Sequence, residues 1–84
     1  MATMLITMEQ YDQLSPIGRE IHKYWMNHQP KMYKEMAKNG TLWEVLHSED
    51  LRLDEMIIDL MQNGLAEDQA KEIARAEFIE EMMY

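Results

Sequence analysis

Pro16, Gly18, Pro30, Gly40 and Gly64 are the only prolines and glycines in 84 residues. A fold of many strands needs turn residues at short intervals, and three glycines with two prolines cannot supply them. The same residues are spaced as helix punctuation. Ser15 followed by Pro16 makes an N-cap with proline at the first helical position, where the missing N–H costs nothing. Pro30 ends that helix, because the residue before proline avoids the α region, and it can open a second one that Gly40 closes. With 46% apolar and 29% charged residues the chain is too apolar to remain disordered. The expectation is a single helical domain over residues 1–84, all-α, a small bundle of three to five short helices. At 10.1 kDa it lies near the lower size limit for a self-sufficient core.

Periodicity fills in the elements. Ile17, Ile21, Tyr24, Trp25 and His28 share one stripe of the first long helix. Met32, Tyr33, Met36 and Ala37 form the inner side of the next. Thr41-Leu42-Trp43-Glu44 has the spacing of a capping box, and the helix it opens runs to Asn63 with Gly64 as terminator, or breaks at His47-Ser48 where Ser48 could cap a fresh start. Leu53, Met56, Ile57, Leu60 and Met61 make its main apolar face, with Leu51 and Ile58 on the opposite side. A helix that is apolar on two sides touches two neighbours or a partner chain. A last helix over about 66–83 places Glu67, Asp68 and Glu72 near its positive dipole end. Its far end, with Phe78, Ile79, Met82 and Met83, is apolar nearly all round, which makes it a candidate oligomer contact and the chain a candidate homodimer. Residues 3–14 stay open between a helical face (Met4, Met8, Tyr11) and a short N-terminal strand at Leu5-Ile6-Thr7.

Several chemistries drop out. No cysteine means no disulfide scaffold, thiolate metal site or Cys nucleophile. Both serines, Ser15 and Ser48, stand at expected caps. Glu44 and His47 have Glu-x-x-His spacing, but a di-iron bundle needs two copies and two further carboxylates. His22 and His28, six apart, cannot meet on one helix face. The neighbours Asp54 and Glu55, and Glu80 and Glu81, sit in helical charge runs with no cleft to raise a carboxyl pKa. The expectation is no enzyme, no cofactor and no metal. No run approaches a membrane span and no leader is visible, so the chain reads as cytoplasmic and without a membrane partner. Ten methionines fit a flexible core filler, or an adaptable contact surface at Met82, Met83 and Met26.

The net charge of −8 is unevenly placed. Residues 1–47 hold five basic and five acidic side chains; residues 48–84 hold three basic and eleven acidic ones. Within the first part, Arg19, Lys23, Lys31, Lys34 and Lys38 form a locally basic stretch.

Pro16-Ile17-Gly18-Arg19, Tyr24, His28, Pro30, Tyr33, Gly40, Leu42 and Leu46 resemble the transposon-encoded TnpV family, as do Ala74-Arg75-Ala76-Glu77, Ile79, Glu81 and Tyr84 near the end. The matched blocks cover residues 16–46 and 73–84. The resemblance implies a setting on bacterial mobile elements, a part in transposition and a distant kinship to excisionases. It implies no defined chemistry.

Two functional expectations follow. In the first, the acidic face (Glu49, Asp50, Asp54, Glu55, Asp59, Glu67, Asp68, Glu72) imitates a line of phosphates and docks on the basic surface of a protein partner such as a nuclease or recombinase. That would make the chain an inhibitor or regulator in the manner of an anti-CRISPR protein. In the second, the Arg19–Lys38 cations bind DNA in an excisionase-like accessory role, with Tyr24 and Trp25 as stacking or packing groups. A pI of about 4.7 disfavours direct nucleic-acid binding, since the carboxylates repel a duplex unless they face away.

Overall fold

The computed structural model describes residues 4–82, of which Glu81 and Met82 are placed as backbone. Five helices follow in order: α1 Met8–Gln13, α2 Pro16–His28, α3 Pro30–Asn39, α4 Leu42–Gln62 and α5 Glu67–Met82. The all-α expectation holds, and no strand occurs among the described residues. α4 is the central element and packs against α2, α3 and α5. The core takes Ile17, Ile21 and Trp25 from α2, Tyr33 from α3, Leu42, Leu46, Leu53 and Ile57 from α4, and Ala70, Ala74 and Phe78 from α5. Burial of these side chains is the dominant favourable term for a chain this short.

The helix ends explain the boundaries. Ser15 caps α2, with Pro16 in its first turn. Gly40 adopts φ 77°, the left-handed region that suits glycine, and lets the Thr41 amide donate back to the Met36 carbonyl at 2.9 Å. The Leu65 amide closes α4 in the same way on the Leu60 carbonyl. One local expectation fails and two open alternatives are decided. Thr41 precedes α4 but its side chain makes no cap; its hydroxyl instead donates to the Met36 carbonyl at 3.5 Å. Ser48 lies inside α4, which runs unbroken through it. The capping box forms at Thr7 and Gln10, where each side chain accepts the other's backbone N–H at 3.0 Å, and this opens a helix rather than a strand.

Of the apolar end of α5, the two described side chains turn inward. Phe78 is only 4% exposed and packs edge-on to Tyr24, with ring centroids 5.6 Å apart, while Ile79 is half-buried. Phe78 therefore belongs to the core and not to an oligomer contact. The Met82 side chain and Met83 lie outside the described residues. His28, expected in the buried stripe, is exposed and lies against Tyr24 at 4.7 Å between centroids.

Candidate functional site

The acidic residues divide by position. Asp50 is 3% exposed and is not on the acidic surface. It projects from α4 to the start of α2, where its carboxylate accepts the Ser15 backbone N–H at 3.2 Å and the Ser15 hydroxyl proton. That hydroxyl in turn accepts the Gly18 N–H at 3.4 Å. α2 has no acidic residue in its first turn, so a carboxylate 35 residues away supplies the negative charge its dipole favours. The arrangement also accounts for Gly18. A Cβ there would lie 2.5 Å from the Asp50 Cγ and Oδ1. The Ser15 hydroxyl is thus consumed by the cap and its buried support.

Glu49 is half-buried and held by Arg52 at 2.8 Å. Glu67 pairs with Lys71 at 3.0 Å. The other predicted carboxylates face outward: Glu55 and Asp59 on α4 and Asp68 and Glu72 on α5 are exposed, and Asp54 is half-buried. None of these five makes an ion pair among the described residues, whereas all three cations of this half are engaged. Arg52 bonds Glu49 and lies 3.8 Å from Glu77, Lys71 bonds Glu67, and Arg75 makes a two-pronged bond to Glu20 of α2 at 2.9 and 3.0 Å. The exposed remainder of α4 and α5 is consequently dominated by negative charge, with Glu72 alone of the five also within the field of Arg75.

The basic stretch also divides. Lys31, Lys34 and Lys38 are exposed, and their spacing puts them on one face of α3, opposite buried Tyr33. Lys23 is exposed on α2. Arg19 is committed to the fold: its Nε donates to the Tyr11 carbonyl at 3.4 Å and its guanidinium sits 4.8 Å from the Tyr11 ring centroid. Trp25 is fully buried and cannot stack on a base. Tyr24 is half-buried between His28 and Phe78.

A buried polar node escapes the sequence reading altogether. The Leu5 amide donates to the Tyr33 hydroxyl at 2.7 Å, and that hydroxyl lies 2.7 Å from His22 Nε2. With its lone pair receiving the Leu5 proton, the hydroxyl is free to donate to Nε2, which fits a neutral imidazole. Burial pushes the His22 pKa below its ordinary value and the Tyr33 pKa above its own; the Leu5 hydrogen bond partly opposes the latter. The node clips the segment before α1 onto α2 and α3. The only signal for it is that His22 sits one helical turn from both Gly18 and Trp25, on the edge of the stripe.

Elsewhere, His47 stacks on Trp43 at 5.0 Å between centroids. Among the described residues no group of three or more acidic or histidine side chains could hold a metal ion, and no helix is long and apolar enough to cross a membrane. No protein-family model, curated protein or solved structure matches the chain.

Proposed function

We propose that this chain is a non-enzymatic interaction module that docks the exposed carboxylates of α4 and α5 on a basic, nucleic-acid-binding surface of a partner protein. It acts there as an inhibitor or regulator, in the manner of an anti-CRISPR protein. The observation that carries this reading is the pairing pattern: every cation of the C-terminal half is tied to a carboxylate, while Asp54, Glu55, Asp59, Asp68 and Glu72 make no ion pair among the described residues. A concentrated single-sign field steers an oppositely charged surface and raises its association rate. The TnpV-like blocks support a bacterial mobile element as the setting, where a nuclease or recombinase is the basic partner to be blocked.

The three lysines of α3 favour one alternative, an excisionase-like DNA-binding role through Lys31, Lys34 and Lys38, with Lys23 alongside. Affinity capture separates the two. The wild-type chain and a D54K/E55K/D59K variant are immobilised, and bound bacterial proteins are eluted with duplex DNA. The expected result is at least one DNA-binding protein that the wild type retains, the variant does not, and DNA displaces. Identical retention by both chains overturns the proposal.

A further inference from the structure

The outer side of α4 carries an apolar line within its acidic field. Leu51 is 51% exposed and Ile58 49%, seven residues apart and therefore two turns along one face. Met61, expected on the main apolar face with Leu53 and Ile57, is instead exposed and stands one turn beyond Ile58, while the stacked Trp43 and His47 stand at the start of the helix. Leu51, Asp54, Ile58 and Met61 follow the three-four-three spacing of a seam between two helices. On its opposite side α4 turns Leu46, Leu53 and Ile57 into the core it shares with α2, α3 and α5, so Leu51 and Ile58 lie on its outer side. Single exposed apolar residues are ordinary on a protein surface, but a row in register over two turns on a helix already fully packed behind is not explained by the fold.

The surroundings of the row decide what covers it. Glu55 and Asp59 flank one edge, Asp54 stands within the row between Leu51 and Ile58, Glu44 lies in line with it one heptad earlier, and Arg52, the nearby cation, is already bonded to Glu49. Beside Ile58 a shallow trough runs between Glu55 and Asp59, lined also by Arg52, Met56 and Gln62. A nucleic acid would meet only repulsion here, and a second copy of the chain docked through this same face would set carboxylates against carboxylates. We propose that the Leu51–Ile58 row is the seat of a basic amphipathic helix of the partner protein, whose apolar residues at three- and four-residue intervals cover Leu51, Ile58 and Met61 while its flanking lysines or arginines meet Asp54, Glu55 and Asp59. This rests on the acidic docking reading above and specifies it: the contact has an apolar centre with an acidic rim, and the partner presents a helix.

The test uses the full-length chain, isotopically labelled for NMR. One probe is an 18-residue synthetic peptide with leucines at helical a and d positions and lysines at e and g. The second is a scrambled peptide of identical composition. The expected result is that the patterned peptide shifts amide signals across residues 47–61 and binds at least about tenfold more tightly than the scrambled one, and that L51S/I58S removes that advantage. Because both side chains are half in solvent, this variant should keep the wild-type melting curve; L51A and I58A singly should weaken the patterned peptide in the same direction. If both peptides bind equally and L51S/I58S changes nothing, the helix seat is wrong while the charge-based reading stands. If neither peptide binds, or if D54K/E55K/D59K binds both as well as the wild type, the acidic docking reading falls with it.

Discussion

At the scale of single residues, the strongest constraint is the contact between Gly18 and Asp50. Alanine in place of glycine inside a helix ordinarily stabilises by about 1 kcal/mol through the unfolded chain. Here the new methyl would stand 2.5 Å from the Asp50 Cγ and Oδ1 and 3.0 Å from its Cβ, against a short side chain already held by Ser15. Overpacking of this kind costs about 1–3 kcal/mol, so the sign reverses. G18A should lower stability by roughly 2 kcal/mol in urea titration. D50A alone should cost about 2 kcal/mol by orphaning the Ser15 N–H and removing charge from the α2 terminus. The double variant should lose clearly less than the two losses added together, because removing the carboxylate makes room for the methyl.

His22 gives the pH dependence. Its folded pKa is depressed by burial, so the unfolded chain binds the proton more readily than the folded one. Stability is therefore complete above the unfolded histidine pKa of about 6.5 and is lost as pH falls through that value toward the folded pKa. Thermal melts at pH 7.5 and 5.0 should show a drop for the wild type that H22Q, with no titrating ring at this position, shows to a smaller extent. An equal drop in both would assign the pH dependence to other groups.

At the scale of elements, the sequence displays what local chemistry decides and hides what depends on distant residues. Ser15-Pro16, Pro30, Gly40 and Gly64 mark helix ends through backbone restrictions that act within a few residues, and each boundary stands where expected. Thr41 and Thr7 illustrate the weaker signals. Both precede a helix with Glu or Gln three residues on, yet only Thr7 adopts the extended backbone a cap requires; Thr41 is held helical by the turn after Gly40. Asp50 falls between Leu46, Leu53 and Ile57 at the spacing of the buried row, so helix phase marks it as internal, while its partner Ser15, 35 residues away, is beyond what periodicity reports. His22 hid for the same reason, since Tyr33 and Leu5 reach it only in the folded chain. The exposed acids of α4 and α5 were legible, being set by helix phase alone.

α5 is moored unequally by its contacts. Ala70, Ala74 and Phe78, spaced by four, are its buried row, and the Arg75–Glu20 bond is its exposed tie to α2. Removing the Phe78 ring should cost about 3–5 kcal/mol. Removing the exposed ion pair with R75A should cost under about 1 kcal/mol despite its good geometry. Chemical denaturation of F78A and R75A checks the contrast, and comparable losses would mean that the ion pair holds α5 as firmly as the aromatic packing does.

At the scale of the whole molecule, charge is sorted by element. α3 presents Lys31, Lys34 and Lys38 on one outer face, while α4 and α5 present carboxylates whose nearby cations are already engaged. With a net charge of −8 the acidic side dominates the long-range field, and Arg19 and Trp25, two of the groups a DNA-binding role would recruit, are occupied in holding the fold. The proposed working surface is therefore the carboxylate side. Fluorescence anisotropy of the intact chain with a labelled random-sequence duplex, at low and at physiological salt, tests this most directly. No saturable binding is expected even at low salt, where any phosphate contacts are strongest. Binding that is tight at low salt and weakens steeply as salt is raised would contradict it, and would assign function to the lysine face of α3.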